Sequence, residues 1–264
     1  MFKRIKTVHP FLLLGFVALF SNSCNLEEDE VKNLKDNETN QQFHPYRTYG
    51  TMTDNDGNCY KTIIIGSQTW MAENLKTTKY NDGTNIPNII VDSLWKKTKK
   101  GAQCTINKTT NKDSINKYGR LYNWYAVDSG KLCPKGWHVP ADSEWTILTN
   151  YLIENGYNYN GSLTENAIAK SLASSSDWEY NIRKGSIGYD QATNNGTGFS
   201  ALPSGTRTIF GNFYSFKTSC YMWSSTEIDS SSTIVYKLCY CNISFNPINY
   251  YLKNMGSSVR CVKN

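Results

Sequence analysis

Apolar and polar positions along the chain fall into three regimes. Residues 11–20, FLLLGFVALF, form an unbroken apolar run behind Lys3, Arg4 and Lys6. A basic flank, a short apolar stretch and then small polar residues predict a secretory leader rather than a membrane anchor, because the run is too short to span. The next stretch, NLEEDEVKNLKDNETNQQF, has few large apolar residues and reads as a flexible tether that cannot offset its own ordering entropy. From about Tyr46 the pattern becomes that of a folded domain.

Within that domain, Tyr60 to Ile65 is a β-branched, aromatic run. It lies between the turn dipeptides Asp56-Gly57 and Gly66-Ser67, with a return strand over Gln68 to Met71, so the pattern predicts a hairpin. The cluster DNDGN is read as a turn, since an EF-hand loop counted from Asp54 would close on Ile65 instead of Glu. Residues 87–117 are rich in Lys, Thr and Asn and read as loop. Apolar residues at Leu121, Trp124, Tyr125 and Val127 predict a short amphipathic helix. Trp145, Leu148, Leu152 and Ile153 follow i, i+3, i+7, i+8 spacing, which predicts a second helix capped by Asp142. Thr164 to Ala173 reads as a third, short helix, and strands follow at YMWSST, IVYKLCYCNISF and SVRCVK. No repeat period is present, and the order of elements predicts an α+β domain with a mostly antiparallel sheet.

Charge and cysteine usage narrow the function. The chain holds 28 basic and 22 acidic residues, and loss of Lys3, Arg4 and Lys6 with the leader leaves 25 against 22. That balance argues against nucleic acid as a partner. Ser21-Asn22-Ser23-Cys24 looks like a relaxed bacterial lipobox, so Cys24 is the expected lipidation site. The boundaries that follow are a lipoprotein signal peptide at 1–23, a lipid-anchored tether at 24–48 and one domain at 49–264. Glu27-Glu28-Asp29-Glu30 resembles the signal that places lipoproteins on the outer face of Bacteroidetes cells, with a plain soluble linker as the competing reading. The expected location is the cell envelope, on the outer membrane, with the domain reaching the surface. Seven other cysteines remain, an odd number, and an exported chain meets conditions that favour disulfides. No C-x-x-C motif occurs; Cys239 and Cys241 could hold a soft metal, but structural pairing is preferred.

Six motifs in order, DGNCYKTIIIGSQTWMAENL, YGRLYNWYAV, CPKGWHVPADSEW, GFSALPSGTR, YMWSSTE and SVRCVK, resemble the Fibrobacter succinogenes major paralogous domain of Bacteroidetes and Fibrobacteres lipoproteins. Trp137 to Trp145 and the VRCV ending are more distantly similar to formylglycine-generating enzymes. That second likeness implies a C-type-lectin-like core: two helices packed on a small twisted sheet, with long loops. It also implies a disulfide between Cys133 and Cys261; apart from that likeness, Cys220 with Cys239 or Cys241, and Cys59 with Cys104, are weaker expected pairings. Trp145 is then expected to fill the core, as is Trp223, where hydroxyl residues replace the Asn-Asp of calcium-binding lectins.

Catalysis is not expected. His44 lies in the tether, and His138 reads as a structural histidine rather than a base. No G-x-S-x-G, H-E-x-x-H or phosphate-loop motif is present. Cys239 and Cys241 depart from the copper-holding pair of formylglycine-generating enzymes, because a single residue separates them. The expectation is a non-catalytic binding or adhesion module without metal or cofactor. Tyr157 and Tyr159 in GYNYNG are candidate ligand contacts, and the ligand is expected to be an extracellular glycan or protein. An enzyme related to formylglycine generation and a purely structural envelope component are the alternatives.

Overall fold

A computed structural model describes residues 43–264; the leader, Cys24 and the tether up to residue 42 lie outside the described residues. In chain order the elements are β1 (Gly50–Thr53), β2 (Cys59–Ile65), β3 (Gln68–Met71), α1 (Asp92–Lys97), β4 (Gln103–Cys104), α2 (Lys112–Tyr118), β5 (Leu121–Tyr122) and α3 (Trp124–Val127). They continue as β6 (Trp137–His138), α4 (Asp142–Glu154), α5 (Ala169–Leu172), β7 (Ser204–Arg207), β8 (Phe213–Phe216), β9 (Ser219–Glu227), β10 (Ser232–Cys239), β11 (Asn246–Leu252) and β12 (Val262–Lys263).

The architecture corrects the expected lectin-like α+β core. The chain is mostly β, built from two five-stranded sheets, ordered β1-β2-β3-β12-β6 and β11-β10-β9-β7-β8, with a small β4-β5 ribbon. All pairings are antiparallel except β7 with β9. Among the described residues only α4, with 13 residues, is a long helix, so two helices do not pack on one sheet. The amphipathic segment 117–127 breaks at Gly119, which takes φ +72° and lies so close to Asn74 that a Cβ would sit 2.7 Å from its side chain. Beyond the break, Leu121 and Tyr122 pair with β4, leaving α3 as a single turn. The run at 164–173 keeps helix only at α5. Residues 87–117, read as loop, carry α1, β4 and α2.

Local chemistry explains the hairpin and the long helix. Asp54 Oδ1 accepts from the Asp56 and Asn58 amides, and Oδ2 accepts from Tyr60 Oη at 2.6 Å, which closes the β1–β2 turn. At α4 the N-cap is Ala141, one residue earlier than expected. Glu144 reaches back to accept from the Ala141 amide at 2.8 Å, while the Asp142 carboxylate accepts from Tyr236 Oη at 2.8 Å. Asp142 thus ties the helix to β10 instead of capping it. Trp145, Leu148 and Leu152 face inward as the spacing required.

The two sheets meet around Trp145. Its ring lies 4.6 Å from Trp70 of β3 and 5.1 Å, stacked, from Tyr236 of β10, with Phe199 and Phe245 edge-on. Helix α4 therefore inserts one indole between the sheets, and such ring pairs add stability beyond the area they bury. A second cluster holds Tyr60, Trp124 and Trp223 around the Cys133–Cys261 disulfide. Trp223 is fully buried and donates from Nε1 to Tyr122 O at 2.6 Å. The disulfide closes a separation of 128 residues, which in the loop-entropy treatment is worth about 4–5 kcal/mol.

Asp177 joins three segments. Its carboxylate takes Lys117 Nζ at 2.7 Å, Lys217 Nζ at 2.8 Å and Tyr118 Oη at 2.9 Å. Burial works to raise its pKa, but the hydrogen bonds from Lys117, Lys217, Tyr118 and Ser176 outweigh it and hold the carboxyl well below the usual range. A depressed carboxyl stabilises the fold above the unfolded-state value of about 3.9, and that contribution is lost as pH falls below it. Asp177→Asn, which tolerates the same positive φ of 75°, is expected to lose about 1–2 kcal/mol at pH 7 after allowance for solvent screening. Urea melts from pH 7 down to pH 3 should show the difference between the two proteins shrinking. A constant difference would refute this account.

Candidate functional site

A cavity of about 410 Å³ opens beside the end of α4, within the size range of small-ligand sites. The chain leaves α4 at Asn155 and reverses through Gly156, which places Tyr157 and Tyr159 in one wall. Asn158 fixes that wall from behind: its Oδ1 accepts from the Ala167 amide at 2.7 Å and its Nδ2 donates to Ser162 O at 2.6 Å. The opposite wall is residues 184–193, with Gly185, Tyr189 and Asp190 facing the space. Gly185 takes φ +83°, and a Cβ there would strike the Tyr159 ring at 2.4 Å, so only glycine lets the two walls approach this closely.

Lys170 of α5 forms the floor. Its side chain is buried, and Nζ donates to Tyr189 O at 2.5 Å, Asp190 O at 3.0 Å and Ser186 O at 3.5 Å. All three protons point at backbone carbonyls of one loop, so the ammonium holds the far wall in place. Burial lowers the Lys170 pKa, with the Asp190 charge partly opposing it. Asp190 sits at φ +46°, a strained left-handed position before the 3-10 turn at Gln191–Thr193. Arg47 spans the rim: Nε donates to Gly196 O at 3.0 Å and the guanidinium lies over the Tyr157 ring at 5.9 Å. Phe43 packs edge-on against Tyr49 at 5.4 Å, so residues from 43 onward already rest on the domain ahead of the expected boundary at 49.

The remaining expected site residues lie elsewhere. Cys104 is a buried free thiol, so the Cys59–Cys104 pairing is not formed. Cys220 is also buried and free. It stands opposite Leu238, whereas Cys239 stands opposite Ser219, so Cys220 and Cys239 point to opposite faces of the sheet and cannot bond. Burial pushes the Cys104 thiol up to about 11 and raises that of Cys220. Cys239 and Cys241 bring their sulfurs to 2.9 Å as free thiols. His138 is half-exposed and bridges Glu144 at 2.8 Å to Asn264 at 2.7 Å, a clamp between α4 and the β6 edge. Among the described residues no group of three or more His, Cys, Asp or Glu is placed to hold a metal ion.

Residues 63–263 match the family model described as the Fibrobacter succinogenes major domain. The chain belongs to that family. The Fibrobacter succinogenes major domain match begins inside β2, yet β1 pairs along its whole length with β2, so the folded unit of this family member starts upstream of the matched segment. No curated protein and no solved structure matches the chain. The cavity of this Fibrobacter succinogenes major domain lies entirely within the matched residues, while Arg47 reaches its rim from outside them.

Nothing in the sequence marks Lys170: it stands in ENAIAKSLA as one more polar position of a helical run. Only the tertiary path of residues 186–190 makes it a buried donor. Lys170→Met keeps the apolar stem and removes the three hydrogen bonds. It is expected to cost about 1–3 kcal/mol and to speed amide hydrogen exchange across residues 186–190. Unchanged exchange there would mean the ammonium does not hold the wall.

Proposed function

We propose that the chain is a non-catalytic binding module of the cell envelope whose ligand site is the Tyr157–Tyr159 cavity. The observation that carries the reading is the cavity itself: three tyrosines, Tyr157, Tyr159 and Tyr189, line one open space fixed by a buried lysine and by glycine at the point of closest approach. Flat rings that combine an apolar face with a hydroxyl suit the alternating apolar and polar surface of a sugar. A glycan is therefore the ligand class favoured, with a protein loop as the competitor. Nucleic acid is not proposed, because basic and acidic residues are nearly balanced once the leader is removed.

The lipid anchor belongs to the same proposal. Its support is the leader pattern and Cys24 behind Ser21-Asn22-Ser23, which would hold the domain to the outer membrane on the tether and expose it at the surface. Among the described residues no helix is long and apolar enough to cross a membrane. The enzyme reading, related to formylglycine generation, draws on the likeness of Trp137 to Trp145 and the VRCV ending, with the close Cys239–Cys241 pair as the group that would have to hold copper. Stoichiometric copper on the purified chain, lost in a Cys239→Ser, Cys241→Ser double variant, would favour it.

Titration with soluble polysaccharides on an array, followed by calorimetry, tests the site. Tyr157→Ala and Tyr159→Ala should each weaken binding about five- to tenfold, on the order of 1–1.5 kcal/mol, with the melting curve little changed. Binding that ignores both substitutions would remove the cavity from the proposal. For the anchor, Cys24→Ser should move the chain from the membrane fraction to the soluble fraction. Detection of an unmodified Cys24 in the mature protein would overturn lipidation. Protease shaving of intact cells then reports which side of the membrane carries the domain.

A further inference from the structure

Cys239 ends β10, and the chain turns at once through Tyr240 and Cys241, with the Asn242 amide donating to Cys239 O at 2.9 Å. The turn, rather than a continued strand, is what brings the two sulfurs together. At 2.9 Å they are inside van der Waals contact and about 0.9 Å beyond the ~2.05 Å of a disulfide bond. The two thiols differ in access: Cys239 is buried and Cys241 is partly exposed. The other free thiols, Cys104 and Cys220, are buried in the interior and have no such neighbour among the described residues.

This turn is also hydrogen-bonded to the cavity wall. The Gly188 amide donates to Tyr240 O at 2.8 Å and the Ile187 amide to Asn242 O at 3.4 Å. Residues 187 and 188 lie between Ser186 and Tyr189, whose carbonyls Lys170 holds. One short segment is thus gripped on one side by the thiol turn and on the other by the cavity floor.

We propose that Cys239 and Cys241 are a redox-active dithiol that closes to a disulfide by exchange with low-molecular-weight disulfides, and that closure stiffens the far wall of the cavity. The Cys241 thiolate attacks a disulfide RSSR, forming a Cys241–SR mixed disulfide and releasing one RS⁻. The Cys239 thiolate then attacks the Cys241 sulfur, forming the Cys239–Cys241 bond and releasing the second RS⁻. Two protein thiols lose two electrons and two protons in all, and RSSR is reduced to two RSH. Burial, together with the hydrogen bond and charge of Cys239, raises the Cys241 thiol pKa, so exchange accelerates as pH rises toward the thiolate. The dithiol stands without any ligand in the cavity; only its regulatory use rests on the binding reading above.

The test uses the full chain equilibrated anaerobically with graded ratios of oxidised to reduced dithiothreitol, acid-quenched, alkylated with iodoacetamide and mapped by mass spectrometry. Cys239 and Cys241 should leave the alkylatable pool together in one step, joined to each other. With oxidised glutathione, Cys239→Ser should stop at a mixed disulfide on Cys241, and Cys241→Ser should leave Cys239 unreacted. Two independent titrations, or both thiols alkylated at every ratio, would overturn the dithiol. Amide hydrogen exchange across 186–190 should slow on closure; identical exchange in the two forms would overturn the link to the cavity. If exchange slows but neither form binds a glycan, the binding reading fails and the couple remains.

Discussion

Two neighbouring residues, Arg260 and Cys261, carry the constraint on which the architecture depends. Arg260 is fully buried and spends its guanidinium on four acceptors: Asn74 Oδ1 at 2.8 Å, Met71 O at 3.1 Å, Phe199 O at 2.6 Å and Ser200 O at 3.0 Å. No salt bridge joins it to a carboxylate among the described residues, and burial pulls its pKa down to about 10. A cation in that position is tolerable because four of its five N–H donors meet a carbonyl or amide oxygen and the Phe199 ring lies 4.7 Å away. Cys261 then adds the covalent link to Cys133, ahead of α4. The backbone around β3, the 199–200 segment and the approach to the long helix are thus fixed from one point in sequence.

Arg207 repeats the device around a different set of loops. It too is fully buried, donates to the carbonyls of Ile89, Ile90 and Gly211, pairs with Asp92 at 2.7 Å and stacks over Trp95 at 4.4 Å. Long irregular segments need their peptide groups satisfied when the chain supplies little regular structure. Arginine does this well because its planar fork offers five donors at fixed angles. The fold uses two of them as internal fasteners for loops, where a helix-rich protein would use intrahelical bonds.

Those fasteners mark the limit of what the sequence discloses. The hairpin from Tyr60 to Met71 was legible because alternation and turn dipeptides are local signals, and so was the inward face of α4 with Trp145. The split at Gly119 was not, since it depends on the approach of Asn74, more than forty positions away. Strand β11 was missed because its exposed tyrosines and Pro247 lack alternation. Tyr157 and Tyr159 stood out as aromatics in a glycine-bounded loop, and the cavity does contain both. Lys170 and Tyr189 were hidden, since each acquires meaning only from segments packed against it, while Cys239 and Cys241 stood out as a pair but their direct contact depends on the turn that ends β10.

The position of β12 has a kinetic consequence. It is the latest strand along the chain, yet it lies inside its sheet between β3 and β6. A polypeptide made from the amino end can pair β1, β2 and β3 early, but β6 has no neighbour in that sheet until residue 262 arrives. Non-local closure of this kind is slow. Nascent chains therefore cannot complete this sheet until synthesis is nearly finished, and any prematurely terminated product carries an unfilled gap beside β3.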